Sequence, residues 1–96
     1  MTEIHQAFAT GLQITPAEVM LGVGTDHPEC LCGIILGDVN PEDMTTTLRK
    51  LLPNGSLTRA CIQVIHPEYT DRFKGMDWDT AWDESWDFLV ATVRYE

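Results

Sequence analysis

The sequence predicts a small single α+β domain over residues 1–96, with a three-stranded or slightly larger sheet and helices packed on one side. The chain has 96 residues and a hydrophobic fraction of 44%, which is enough for one modest core. Helical and strand-like apolar patterns alternate along the chain. The stretch at about 30–66 reads as strand, helix and strand, and is long enough for a β-α-β unit with a right-handed crossover.

The N-terminal third contains two helix signals. Residues 2–12 carry apolar side chains at helical spacing, which predicts a first helix. In the next stretch, "TPAEVML", Thr15 stands at an N-cap position, Pro16 at the first helical position and an acid two residues further on. We therefore expect a second, short helix here, ended by Gly22 and Gly24.

The next segment predicts a strand and then the clearest helix of the chain. The run "CLCGIILGDV" is apolar on both alternating faces, which is typical of a central strand covered on both sides. In "NPEDMTTTLRKLLPNG", Asn40 caps a helix that Pro41 opens, and acids follow where the helix dipole favours them. Arg49 and Lys50 fall in its last turns, and Pro53 stops it.

Two further strands complete the predicted sheet. The stretch "SLTRACIQVIHPEY" alternates an apolar face with a mixed face that carries Arg59, Cys61 and Gln63. This mixed face favours either a position nearer the edge of the sheet or a strand with one partly wet face. The last strand, "DFLVATVRY", lies near residues 87–95, and its apolar side chains from Leu89 to Tyr95 share one face.

Charge is the strongest global signal of the sequence. Six Lys and Arg residues stand against fifteen Asp and Glu residues, which gives a formal net charge of −9. Such a surface repels nucleic acid and anionic membranes and attracts basic partners, although solubility alone also explains an acidic composition. Neither direct nucleic-acid binding nor membrane binding is expected. The longest apolar run, residues 30–37, is far below the roughly 18 to 20 residues of a membrane span.

The number of cysteines and the N-terminal residues indicate the cellular compartment of the protein. The three cysteines form an odd number and show no disulfide framework. The stretch "MTEIHQAFATG" has an acid where a signal peptide carries positive charge. We therefore expect a reducing cytoplasm, which would be the host cytoplasm if a phage encodes the protein.

The stretch "MDWDTAWDESWDFLV", residues 76–90, contains all three tryptophans. They are spaced by four residues, and three aspartates, each one residue later, repeat the same spacing. On a helix this pattern places an aromatic stripe beside an acidic stripe.

Two interpretations of this helix compete. Each tryptophan can bury about 150–250 Å², so a chain this small gains much stability from an aromatic core. However, aspartates four residues apart repel each other, and residues 75–93 contain no Lys or Arg to offset them. This uncompensated charge favours a surface that meets a basic partner. The predicted partner-binding residues are Asp77, Trp78, Asp79, Trp82, Asp83, Glu84 and Asp87.

Metal and enzymatic sites are the alternative. The acids of "DWDTAWDE" do not form a calcium loop, because Ala81 and Trp82 stand where an oxygen ligand and a glycine are needed. The sequence has no nucleophile elbow, phosphate loop or dinucleotide fingerprint, so we expect no cofactor and consider an enzyme less well supported. A small metal-binding or enzymatic domain could use His27, Cys30, Cys32 and His66. The competing interpretation is that the two cysteines are buried as small hydrophobic residues and that the histidine lies in a loop.

The leading functional hypothesis is a small, acidic, non-enzymatic inhibitor. It would occlude a basic surface of a nucleic-acid-binding protein or complex by acting as a DNA mimic. In size and charge the chain resembles the small acidic inhibitors of phages and mobile elements, such as anti-CRISPR proteins. A third hypothesis is a structural homodimer or larger homo-oligomer, whose tryptophan face is covered by a second copy.

Overall fold

A computed structural model describes residues 3–14, 18–23, 28–37, 39–52 and 57–95. None of the helices within these ranges is long and apolar enough to cross a membrane. A short 3-10 helix at Pro67–Tyr69 precedes the third α-helix. The other elements, in chain order, are α1 (Glu3–Leu12), β1 (Val19–Val23), β2 (Cys30–Leu36), α2 (Pro41–Leu51), β3 (Arg59–Ile65), α3 (Thr70–Phe73), α4 (Trp78–Phe88) and β4 (Leu89–Tyr95).

The four strands form one mixed sheet in the order β1-β2-β3-β4. β1 pairs with β2 antiparallel, β2 with β3 parallel, and β3 with β4 antiparallel. α2 lies between the two parallel strands in the chain. The small α+β class predicted from the sequence is confirmed, with four strands in the sheet.

Helices cover both faces of this sheet, so the prediction that they pack on one side is wrong. α1 and α2 supply Phe8, Met44 and Leu48 to a hydrophobic cluster on one face. α3 and α4 supply Phe73 and Ala81 to a second cluster. The reason lies in β2, whose alternating side chains are apolar in both directions: one set belongs to the first cluster and the other to the second.

β1 replaces the short helix predicted at "TPAEVML". Thr15 and Pro16 lie outside the described residues, but from Val19 onward the chain is a strand paired with β2. A helix of about two turns has little intrinsic stability, and pairing with a buried strand outweighs the local capping signal. Alternation within β1 then places Val19 in the cluster beneath α1 and α2, and Met20 in the cluster beneath α4.

β3 is a central strand, so the expectation of a position nearer the sheet edge is wrong, whereas the alternative of a partly wet face agrees with the partial exposure of Arg59 and Cys61. The polar residue that suggested an edge, Gln63, is fully buried and hydrogen-bonds through its side chain with the Thr92 hydroxyl on β4. Its second amide atom, Nε2, is buried without a hydrogen-bond partner. A polar residue in a strand is therefore a weak indicator of an edge when a neighbouring strand offers a hydroxyl.

α2 confirms its prediction in detail. The Asn40 side chain accepts a hydrogen bond of 2.8 Å from the Glu42 backbone N–H, which satisfies one of the unpaired donors of the first turn. Met44 and Leu48 are fully buried, whereas Arg49 and Lys50 are exposed in the last turn. α2 thus anchors one layer of the domain.

β4 changes face near its start. Ile65 pairs with Leu89, whereas Val64 pairs with Ala91, so Val90 forms a bulge and is 52% exposed. Leu89 therefore belongs to the cluster under α4, and Val93 belongs to the cluster under α1 and α2. The expectation that all apolar residues of this strand share one face is correct only after the bulge.

Candidate functional site

The candidate partner-binding site lies on α4, and an aspartate caps the start of this helix. Asp77 is the N-cap, and its carboxylate accepts a hydrogen bond of 3.2 Å from the Thr80 backbone N–H. Hydrogen bonds from the Thr80 side chain and then from its backbone hold the pKa of Asp77 below its usual value. Asp77, predicted to bind a partner, is therefore already engaged in holding the first turn of α4.

The side chains of α4 that face the sheet are small and fully buried. Ala81 and Ser85 have no exposed surface, and the Ser85 hydroxyl donates a hydrogen bond of 2.7 Å to the Trp82 carbonyl oxygen. Small residues here let the helix approach β2 and β3 closely. Trp78 and Trp82 lie beside these small residues and pack against the same cluster.

The tryptophans form a ladder whose burial is graded; we call Trp78, Trp82 and Trp86 the tryptophan ladder. Trp78 and Trp82 are half-buried against the cluster under α4 and stack with ring centroids 5.5 Å apart. Trp86 meets Trp82 edge-on at 5.8 Å and is 48% exposed. Two tryptophans are thus largely core, and the third extends the same stack into solvent.

Gly22 on β1 makes room for the start of the ladder. A Cβ atom at this position would lie 2.5 Å from Cε2 of Trp78, so the indole rests directly on the strand backbone. A glycine inside a strand pattern is a known signal for such an approach. The local sequence instead predicts that Gly22 ends a helix, so it does not reveal this contact.

The aspartates that follow the tryptophans form the acidic ridge, defined as Asp79, Asp83 and Asp87. All three are exposed. Successive members are one helical turn apart, a rise of about 6 Å. Within the ranges that the structure describes, no ion pair joins any of them to a cation. The ridge therefore presents uncompensated negative charge along the outside of α4.

Glu84 faces a different direction from the acidic ridge. One of its oxygens, Oε1, lies 3.1 Å from an Arg72 nitrogen, and the other, Oε2, is buried without a hydrogen-bond partner. The Arg72 guanidinium also lies over the Phe88 ring, 4.7 Å from its centroid. Glu84, predicted to belong to the partner-binding surface, is paired with Arg72 within the chain. Sequence spacing does not reveal this contact, because Arg72 lies on α3 and not on α4.

Among the described members of the predicted cysteine–histidine cluster, His66 lies away from Cys30 and Cys32. His27 lies outside the described residues. Cys30 and Cys32 are on β2, whose first residue pairs with Arg59 at the start of β3, whereas His66 follows the opposite end of β3. His66 is exposed there, 3.5 Å from a Glu68 oxygen. Among the described residues, no group of three or more His, Cys, Asp or Glu side chains is arranged to hold a metal ion.

Comparisons with models of known protein families, with curated proteins and with solved structures gave no match for this chain. Its functional interpretation therefore depends on the geometry of α4 and on the charge that surrounds it.

Proposed function

We propose that this protein is a small non-enzymatic inhibitor that binds a basic, nucleic-acid-binding surface of a partner protein through α4 and thereby occludes it. One observation carries the proposal. Trp86 is 48% exposed and stands on the helix between Asp83, three residues before it, and Asp87, the next residue. A half-exposed indole bordered by carboxylates that form no ion pair within the described part of the chain combines an aromatic anchor with charges that attract Lys and Arg.

Each part of the surface has a separate role in this mechanism. The acidic ridge steers the partner by long-range attraction and then pairs with its cations, at a spacing of the same order as that of phosphates along a nucleic-acid strand. Trp86 loses its remaining exposure on contact and supplies apolar burial. Trp78 and Trp82 remain packed and hold Trp86 in place, so little side-chain freedom is lost on binding.

The acidity of the whole chain supports the same kind of partner. With a net charge of −9, the chain repels nucleic acid and favours cationic proteins. This is the charge pattern of DNA-mimicking inhibitors, and the analogy with anti-CRISPR-like proteins of phages rests on size and charge.

The test is a pull-down from a bacterial lysate at low salt, read by mass spectrometry. The parent is compared with a ridge variant, Asp79→Asn, Asp83→Asn, Asp87→Asn. A control variant, Glu42→Gln, Glu68→Gln, Asp71→Asn, removes three exposed acids elsewhere and has the same net charge as the ridge variant. We expect the parent and the control to hold a basic, nucleic-acid-handling protein that the ridge variant loses.

Quantitative binding to the partner identified in this way separates charge from burial. We expect affinity for the parent to fall steeply as salt rises, because exposed charges are screened. Trp86→Ala should weaken binding by about 30-fold, the effect of a hot-spot residue worth about 2 kcal/mol. Equal losses for the ridge and control variants, or an affinity that salt does not change, would overturn the proposal.

A further inference from the structure

The three cysteines of the chain lie on the sheet face that α4 partly covers. Cys30 and Cys32 alternate on β2 with Leu31 and Gly33, so they share the face of Ile34, which belongs to the cluster beneath α4. On β3, Cys61 shares the face of Ile65 in the same cluster by the same alternation. All three cysteine residues are partly exposed and none is in a disulfide.

Two of these cysteines are direct neighbours across the parallel strands. In the register of β2 and β3, Cys32 pairs with Cys61, whereas Cys30 pairs with Arg59. Adjacent strands are about 4.7–4.9 Å apart, which lies within the Cα separation of about 4.4–6.8 Å found in disulfides. Cys30 and Cys32 project in parallel from one strand, about 6.6 Å apart, beyond the reach of their Cβ atoms. We call Cys32 and Cys61 the thiol pair.

We propose that the thiol pair is a modification site that a hydroperoxide converts into an intramolecular disulfide. One thiolate attacks the peroxide, the O–O bond breaks, and a sulfenic acid and an alcohol or water form. The second thiol attacks the sulfenic sulfur, the S–O bond breaks, water leaves and the S–S bond forms. The two thiols lose two electrons and the peroxide gains them. Protons from the thiols are taken up by the departing oxygens.

The position of the thiol pair explains why it can react and then be reduced again. Across the sheet it lies between Gly22 on β1 and Arg94 on β4, and Arg94 is exposed, so the row is open to solvent on that side. On parallel strands the Cβ atoms of paired residues are about as far apart as the strands, slightly beyond the 3.5–4.5 Å usual in disulfides. Small thiols should therefore reduce this bond readily.

The tryptophan ladder gives this reaction an optical signal. Trp78 rests on Gly22, and Gly22 pairs directly with Cys32. A disulfide that forms beside the indole should quench its fluorescence. This inference does not depend on the proposed function, because it concerns thiol chemistry at the sheet and involves none of the acidic ridge.

The experiment uses the full chain, which is first reduced, then separated from the reductant and treated with hydrogen peroxide. The protein is next denatured and alkylated, and its mass is measured by mass spectrometry. The parent has three cysteines, and we expect two of them to become resistant to alkylation in a chain that stays monomeric. Cys30→Ser should lose both of its remaining thiols at the parental rate, with the same fall in tryptophan fluorescence. Cys32→Ser and Cys61→Ser should form no intramolecular disulfide, and dithiothreitol should restore all thiols of the parent.

The variants are needed because trypsin leaves Cys30 and Cys32 in one peptide, since no Lys or Arg precedes Arg49. In the parent, that peptide should be found linked to the peptide that contains Cys61, a result that does not depend on any variant folding. The proposal is overturned if all three thiols survive oxidation, if Cys30→Ser abolishes the bond, or if the products are disulfide-linked dimers.

Discussion

α2 and α4 are alike in length and in having a side-chain N-cap, yet they present different surfaces to solvent. Each has eleven residues, and each begins after a side-chain N-cap, Asn40 in α2 and Asp77 in α4. α2 has acids in its first turn and cations in its last, as the helix dipole favours. α4 has no basic residue in its last turn, where Asp87 stands instead.

The two helices also differ in what they bury. α2 fully buries Met44 and Leu48, whereas α4 fully buries the small residues Ala81 and Ser85 and leaves Trp86 half exposed. The outer face of α2 is arranged as stability requires. α4 leaves one of its three tryptophans half exposed and carries Asp87 at the negative end of its dipole, so its outer face is not arranged for stability alone.

The largest expected effect concerns burial. Leu48→Ala should lower the free energy of unfolding by about 3 kcal/mol, because it leaves a cavity beneath α2. Trp86→Ala should cost less than about 1 kcal/mol despite removing a larger side chain, because half of that side chain is already in water. Urea unfolding measures both. Equal losses would mean that Trp86 is a core residue in solution and would end the distinction between the helices.

The next effect concerns how α4 is seated. Gly22→Ala should destabilise the protein by about 1–3 kcal/mol, because the new methyl group displaces a rigid indole that is itself stacked on Trp82. Tryptophan emission of the folded variant should shift to the red as the ladder becomes wetter. Unchanged emission and stability would show that Trp78 does not rest on β1.

A smaller effect, of opposite sign in the two helices, concerns charge. Asp87→Asn should raise the free energy of unfolding by about 0.3–1 kcal/mol, because it removes an anion from the negative end of α4 and relieves repulsion with Asp83. Lys50→Gln in the last turn of α2 should lower it by a similar amount. Thermal unfolding at low salt measures both. A loss of stability in Asp87→Asn would show that the carboxylate has a structural partner.

The smallest expected effect is the loss of stability at low pH when Asp77 is protonated. The pKa of Asp77 is lower in the folded protein than its ordinary value of 3.8, so its charge stabilises the fold above that value. This stabilisation is lost as the pH falls through the lowered folded pKa. Asn40 does not titrate, so α2 keeps its cap in acid.

Comparing the free energy of unfolding of Asp77→Asn with that of the parent separates the contribution of Asp77 from the effect of the other acids of the chain. The free energy of unfolding of the variant should fall less than that of the parent between about pH 5 and pH 2. Urea titrations at a series of pH values provide the measurement. Parallel pH curves would contradict the capping role of the carboxylate.

Local chemistry predicted α2 and the amphipathic character of α4, because caps, proline and spacing act within a few residues. It failed at β1, where an N-cap motif competes with pairing to β2, and pairing depends on a strand elsewhere in the chain. It also predicted helices on one face of the sheet, whereas they cover both, although the two apolar faces of β2 already indicated burial on both sides.

The candidate site was predictable in part. Spacing alone placed Asp79, Asp83 and Asp87 on one exposed line. The exposure of Trp86 and the pairing of Glu84 with Arg72 were not predictable, because both depend on how α4 is rotated above the sheet. That rotation is set by Gly22 and by the buried Ser85, two residues without a conspicuous motif.

The bulge at Val90 has a mechanical consequence. α4 passes into β4 without an intervening loop, and the Phe88 carbonyl accepts a hydrogen bond of 3.1 Å from the His66 backbone N–H. Beyond the bulge, the same strand enters the opposite hydrophobic layer. A load applied to the outside of α4 would therefore be shared with the ladder of hydrogen bonds between β3 and β4 and with both cores. α4 is thus fastened to the whole domain.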